Sequence, residues 1–498
     1  MTVLSPLTVP VPPLEGLTVP QAAAYVTIKD FLEGATDASL AVLRGYAGTG
    51  KTYLVGRLIQ GLDNDLTVAV AAPTNKAVKV LREKILATGT PLADEPLDGW
   101  READQRVAFG SIHALLGLQL TEREDGSQEC KSARDPSLHK FDVVIVDECS
   151  MIGADLFRQI VLCKRQTRVL FVGDPAQLPP IEARDAESPT FSQVALQVTL
   201  SEVVRQAADN PIIKLSMLLR HAIEVGRRAD PLAMATVLPP LSAHPQAAMV
   251  PGDAHTVVNF ALYEIKAGRD ARVMAFTNEA VRRYNWAIHQ AIYGSESDPF
   301  VVGERVILHH QCDALLCDDH DEPDGIKTTL ITSEEAVVKR YREECHPRWP
   351  AIPARRFVLT RDTEQRVAVW VPHDPPQLEQ AITDQFQEWR IAKAEAEEHY
   401  RQAKLTRDAA ARLACQHNGD RLTAKAKAAS GKAWAMRRAF APLRHAYAMT
   451  THKSQGSTFD TAIVDLKDLG RMRSDFAFNR GLYVAVTRPR QYLAVVVA

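Results

Sequence analysis

Residues 39–52 read SLAVLRGYAGTGKT, and this stretch decides the fold. A short apolar run, Ser39 to Leu43, leads into a glycine-dense loop that closes on Lys51 and Thr52. The loop matches GxxxxGK[ST] through Gly45, Gly50, Lys51 and Thr52, with Gly48 and Thr49 inside it. Glycines let the backbone curl so that successive N–H groups face a β-phosphate. The lysine neutralises β/γ oxygens, and the threonine hydroxyl reaches Mg²⁺. The apolar run before it and the helical TYLVGRLIQGL after it separate the pattern from an ordinary tight turn.

Working outward, three more runs share the character of the first: LTVAVAA (66–72), FDVVIV (141–146) and RVLFVG (168–173). Each is short, β-branched and followed by polar or glycine-containing residues, as buried strands of a parallel sheet read. A second set comprises ARVMAF (271–276), HAYAM (445–449), TAIVDL (461–466) and QYLAVVV (491–497). The expectation is α/β: two such domains, 1–210 and 211–305 plus 441–498, with residues 306–440 inserted into the second. The insertion starts strand-like (IKTTLIT, EEAVVKRY, RRFVLT, RVAVWV), which predicts a small antiparallel barrel. Its second half is rich in Ala, Glu, Lys, Arg and Gln. It predicts two antiparallel helices turning at Asn418-Gly419.

Ligands of parallel sheets bind beyond the carboxyl ends of the strands, and the suggestive side chains fall there. VVIVDECSM ends a buried run on two adjacent carboxylates, which are costly to bury unless they work. Asp147 suits a magnesium ligand, and Glu148 a general base. FVGDPAQLPP then supplies Gln177, whose amide can accept from water and donate to a phosphate oxygen. Phosphoryl transfer also needs cations against the γ-oxygens. Arg205 in LSEVVRQ and Arg488 in YVAVTRPR stand one in each α/β unit. Together they describe a nucleotide clamped between two domains, and hydrolysis there would change their separation.

Bulk properties agree with a globular chain of several domains. The 498 residues exceed a single core, and 46% hydrophobic and 24% charged content is ordinary. MTVLSPLTVPVPPLEG has no basic start and no continuous apolar core, so it does not read as a signal peptide. Seven scattered cysteines fit a reducing cytoplasm better than a disulfide scaffold. A net charge of −2 means that any polyanion must be held by a local stripe of donors. HHQCDALLCDDH (309–320) with Cys345-His346 lacks the paired ligand spacing of structural zinc sites and reads as a polar loop.

The ordered set GYAGTGKT, AAPTNKAV, SIHALLG, DECSM, GDPAQLPP, LSEVVRQ, VMAFTNEAVRRYN, THKSQGSTFD and YVAVTRPR resembles the superfamily-one helicases of the 5′→3′ branch, RecD-like and Dda-like. The resemblance runs from about Gln21 to Arg490 and is weakest in the insertion. It implies two RecA-like P-loop domains with ATP and Mg²⁺ between them, an inserted SH3-like barrel with a helical extension, and a monomeric chain. The implied activity is ATP-dependent unwinding in replication, recombination or repair. The implied partners are single-stranded and forked duplex DNA, with single-strand-binding or replisome proteins as company, and no membrane.

By motif, Gln21 in LTVPQAAA matches the adenine-reading glutamine, and Arg205 and Arg488 match the arginine fingers. Gln455 and Gly456 match the motif that couples nucleotide to DNA. DNA contacts are implied for Pro73, Thr74, Asn75, Ser111, His113, Thr277, Asn278, Thr451 and His452: hydroxyls, amides and backbone N–H groups that suit a phosphate track. LQLTEREDGSQECK (118–131), with Asp125-Gly126 as a hairpin turn, stands where the family has its strand-separating pin. It carries no aromatic residue to stack on a base. Three rival readings remain open at this stage: a translocase that strips proteins from DNA, an ATP-gated loading factor, and RNA as the substrate.

Overall fold

The computed structural model describes residues 16–89, 106–122, 128–132, 135–180, 186–202, 210–240 and 246–497. The chain divides into two compact units. One is Met1–Thr121, Gln128–Tyr284 and Met449–Ala498; the other is centred on Asn285–Ala448.

The first unit is built on two parallel sheets. Strands β1 (Leu40–Gly45), β2 (Val68–Ala72) and β3 (Val107–Ser111) come first. The hairpin β4 (Leu118–Glu122) and β5 (Gln128–Ser132) follows as a separate two-stranded sheet. Its Asp125-Gly126 turn lies outside the described residues. Strands β6 (Val143–Val146), β7 (Arg168–Gly173) and β8 (Leu196–Leu200) complete the first sheet, in the order β3-β2-β6-β7-β1-β8. Its neighbouring strands pair in parallel throughout.

Alternation along these strands feeds two cores. Leu43, Val70, Ile145 and Leu170 pack on one face, while Val42, Ala71, Val144 and Phe171 pack on the other. Both faces are covered, so the strands read as unbroken apolar runs. The second sheet holds β9 (Ala247–Pro251), β10 (Ala271–Ala275), β18 (Ala448–Thr450), β19 (Phe459–Asp465) and β20 (Pro489–Val497), in the order β18-β10-β19-β20-β9.

The second unit is an antiparallel sheet: β11 (Arg305–Leu308), β12 (Cys312–Cys317), β13 (Pro323–Leu330), β14 (Glu335–Glu343), β15 (Ala354–Arg361), β16 (Arg366–Pro372) and β17 (Leu443–His445). Its order is β13-β12-β16-β15-β14-β11-β17. Helices Pro375–Leu405 and Ala409–Ala439 form a hairpin with small residues along the seam, among them Ala392, Ala396, Ala426 and Ala433. Phe386 and Trp434 join Trp370 of the sheet in one apolar cluster at its base.

Three expectations are corrected here. The hairpin turns at residues 406–408, where Asp408 caps the second helix by accepting from Ala411 N–H; Asn418-Gly419 lies inside that helix. Gly419 is needed there for space, because a Cβ would stand 2.8 Å from the Tyr400 ring. HAYAM is not one strand: His445 ends β17 of the antiparallel sheet, and Ala448 opens β18 of the second parallel sheet. HHQCDALLCDDH is not a loop throughout. Cys312–Cys317 is a strand, and Cys312 is buried in the sheet's core.

Candidate active site and nucleic-acid track

The glycine loop leaves β1 at Gly45 and turns through Gly48 (φ +84°) and Gly50 (φ +82°) into helix Lys51–Gly61. Both glycines occupy left-handed backbone, which side chains disfavour. Inside the loop, Thr49 is buried and its hydroxyl donates to Tyr46 O at 2.9 Å. Lys51 Nζ donates to the carbonyls of Gly45 (2.6 Å) and Tyr46 (3.0 Å), so the ammonium is held at the mouth of the loop.

Gln21 opens helix Val19–Leu32 in a capping box with Thr18, and its Nε2 donates to Thr49 O at 3.0 Å. It is buried against the loop, not exposed at a helix start.

At the end of β6, Asp147 Oδ1 accepts from Glu148 N–H at 2.8 Å. Glu148 itself has φ +53°, a strained conformation for a non-glycine residue. Burial pushes both carboxyls above their ordinary proton affinity. For Glu148 the adjacent Asp147 charge adds to this, while Arg488 and then Lys51 oppose it.

Gln177 follows β7. It is 7% exposed, and its amide oxygen is buried without a hydrogen-bond partner. From the second sheet, Gln455 Nε2 donates to Leu178 O at 3.2 Å. Gly456 (φ +73°) comes so close that a Cβ there would stand 3.9 Å from Glu148 Oε1. Arg488 is anchored through Nε to Val484 O (3.0 Å) and through a terminal nitrogen to Ser457 O (3.3 Å).

These groups surround one cavity of about 440 Å³. Its lining includes Gln21, Gly48, Gly50, Lys51, Thr52, Asp147, Glu148 and Gln177 from the first half, and Gly456, Thr487 and Arg488 from the second. Gly45, Thr49 and Gln455 do not line it: the carbonyls of Gly45 and Thr49 hold Lys51 and Gln21, which do, and Gln455 bonds Leu178, the neighbour of Gln177. Arg205 lies outside the described residues.

The implied nucleic-acid residues gather at the carboxyl ends of β2, β3, β10 and β18, an edge pair in each parallel sheet. Thr74 and Ser111 cap the helices that follow, accepting from Ala77 N–H (3.2 Å) and Ala114 N–H (3.2 Å). Pro73 precedes this cap, while Asn75 is exposed and begins its helix; His113 is half-buried in the short helix after Ser111. Thr277 also caps a helix, through Ala280 N–H, and donates to Asp468 Oδ1 at 2.9 Å; Asn278 beside it is exposed. Thr451 is fully buried, with its N–H on Ala275 O, and so supports the loop from beneath. Burial lowers the proton affinity of His452.

Sequence reasoning missed Tyr483. Its hydroxyl accepts from Ala47 N–H of the glycine loop (3.1 Å) and donates to Asp174 Oδ2 (2.8 Å). The available signal was its place in YVAVTRPR, five residues before Arg488.

Residues 21–231 match the AAA domain family, and residues 445–496 match the UvrD-like helicase C-terminal domain. The ATP-dependent RecD2 DNA helicase of Deinococcus radiodurans is 36% identical over 189 residues, 36% of this chain and 22% of the relative. The ATP-dependent DNA helicase dda of Enterobacteria phage T4 is 28% identical over 284 residues, 53% of this chain and 55% of the relative. The chain thus spans between about a fifth and about half of the length of these two relatives. Among solved structures, a Bacteroides Pif1 helicase with ADP-AlF3 and single-stranded DNA aligns at 15% identity and a TM-score of 0.46, over 96% of this chain and 92% of that one. In its ordered motifs and these two matched domains, the chain is similar to the superfamily-one helicases of the RecD-like and Dda-like type.

Proposed function

We propose that this chain is an ATP-dependent DNA helicase that moves 5′→3′ along single-stranded DNA and unwinds duplex ahead of it. The observation that carries the reading is the shared cavity. Lys51, Asp147, Glu148 and Gln177 face it from the first parallel sheet, and Gly456 and Arg488 from segments joined to the second. A nucleotide there touches both halves, so its γ-phosphate reports on their separation. Lys51 and Arg488 set positive charge against the transferring group. Glu148 takes the proton of the attacking water, and its raised proton affinity suits that task. The unpartnered Gln177 oxygen is free to orient the same water. Gln455, bonded to Leu178, carries the change toward the strand ends at the DNA track.

Thr52 and Asp147, a hydroxyl and a carboxylate that both line the cavity, are a fitting donor pair for Mg²⁺. When bound, the ion neutralises phosphate charge. Within this reading, residues 1–210 and 211–305 plus 441–498 are the two RecA-like domains. Residues 306–440 are the SH3-like domain with its helical extension, and β4–β5 is the pin. The partners are single-stranded and forked DNA, with single-strand-binding or replisome proteins. The setting is the cytoplasm of a bacterial or phage-infected cell, which accords with the hosts of the relatives. Among the described residues, no helix is long and apolar enough to cross a membrane.

The test is ATP-driven unwinding of matched duplexes bearing a 5′ or a 3′ single-stranded tail. Unwinding from the 5′ tail alone is expected. Unwinding from the 3′ tail would refute the polarity. DNA-stimulated hydrolysis without unwinding would leave a translocase.

A further inference from the structure

Outside the cleft, the second unit contains a buried group of side chains that the motor chemistry does not use. Glu304 precedes β11, and His445 ends β17, paired in register with Val306. His289 reaches them from helix Asn278–Tyr293. His289 Nδ1 lies 3.0 Å and His445 Nδ1 2.7 Å from the same oxygen, Glu304 Oε1. Tyr447 donates to that oxygen at 3.1 Å, and Val301 N–H holds the other carboxylate oxygen at 3.1 Å. His289 and Glu304 are essentially inaccessible to solvent.

The bonds at the far side of His289 determine where its proton sits. Its Nε2 faces Ser297 Oγ (3.0 Å) and the carbonyl of Asp298 (3.2 Å). The Asp298 carbonyl can only accept, and with the Ser297 hydroxyl turned to Gly294 O both neighbours accept, which favours the tautomer with its hydrogen on Nε2. A neutral His289 then turns a bare Nδ1 lone pair toward a carboxylate oxygen. Two lone pairs at 3.0 Å repel unless a cation lies between them.

We propose that this cation is a divalent transition metal of the zinc class, bound by His289 Nδ1, His445 Nδ1 and Glu304 Oε1. Two neutral imidazoles and one carboxylate are an established donor set for zinc. Among the described residues, these three side chains bring their ligand atoms within 4.8 Å of one another. Bonds of about 2.0–2.1 Å from one tetrahedral ion set neighbouring donors about 3.3 Å apart, so the 2.7 and 3.0 Å separations here need to open by only a few tenths of an ångström to admit it. Ligating histidines commonly donate their second N–H to a carbonyl or carboxylate, as His289 does to Asp298. Trp286 stacks on His289 and Phe300 lies against His445, so the donors sit in an aromatic wall. The ion would tie the first and last strands of the antiparallel sheet to the helix that precedes them. This site is independent of the helicase reading.

The test uses the untagged full chain, purified without chelator. About one equivalent of zinc by mass spectrometry is expected. Chelator-stripped protein should rebind zinc, and should give with Co²⁺ a visible d–d spectrum of nitrogen and oxygen ligation. Glu304→Gln preserves shape and should weaken zinc binding at least tenfold. His445→Gln should do the same, and the wild-type cobalt spectrum decides the matter even if a variant fails to fold. Folded wild-type protein with background zinc and no cobalt spectrum would overturn the site, leaving a proton as the buried cation. Unchanged zinc affinity in folded Glu304→Gln would overturn it as well.

Discussion

Glu148 shows at the scale of one residue how the fold tunes chemistry. Its left-handed backbone costs about 1–3 kcal/mol, and a well-packed strand end sustains that cost. Glu148→Gln keeps the shape but cannot take a proton. Nucleotide binding should survive, while phosphate release falls by about 10²–10⁴-fold; normal turnover would remove Glu148 from the base role. The sign of the pH dependence follows from its environment. Burial and Asp147 raise its proton affinity, and a base must be unprotonated to act. Hydrolysis should therefore fade on acidification at a pH above the ordinary glutamate value of about 4.3. Arg488 is the foremost cation opposing that shift, so Arg488→Ala should move the acid limb of the residual ATPase to higher pH. A limb that stays in place would mean that the Arg488 charge does not reach Glu148.

Among elements, the helical hairpin of the second unit separates propensity from packing. An exposed glycine inside a helix costs about 1 kcal/mol relative to alanine, so Gly419→Ala should stabilise on propensity alone. Here the added Cβ meets the Tyr400 ring, and Tyr400 is bonded to Asp420 at 2.7 Å. Overpacking of this kind costs about 1–3 kcal/mol. The expected outcome is a melting midpoint lowered by a few degrees, with the loss reversed when Tyr400→Ala is added. A stabilised single variant would show that the ring yields freely. The same glycine explains the misplaced turn: Asn-Gly is a strong local turn signal, and only the facing helix reveals why it stays helical. Edge strands β3, β8 and β9 escaped the sequence reading for a related reason. Partly exposed edges such as LQVTL in β8 lack the unbroken apolar run by which inner strands are recognised.

Across the whole first unit, Tyr483 links two halves that lie far apart in sequence. Its hydroxyl bridges the glycine loop and Asp174, and Arg480 of the same helix reaches Pro175 O and Glu187. That helix, Asp475–Val486, ends two residues before Arg488. Tyr483→Phe leaves Asp174 and Ala47 N–H short of a partner, a cost of about 1–3 kcal/mol. Because the helix sets the register of Arg488, kcat for ATP should fall about tenfold with KM nearly unchanged. A raised KM with kcat intact would make Tyr483 a nucleotide-binding residue only.

The sequence by itself determined the α/β class, the glycine loop, the paired carboxylates and the ordered motifs, because each is written in a short contiguous segment with a local physical signature. It also determined the strand-rich and helix-rich halves of the insertion, through their composition. The tertiary structure decided what depends on distance along the chain. It brought Gly456 and Arg488 to the cavity that Lys51 lines, and it buried Thr451 beneath its loop. It moved the hairpin turn to residues 406–408, and it gathered His289, Glu304 and His445 on one oxygen. No local pattern encodes such meetings, because each arises from strand order and register, which only the packed chain expresses.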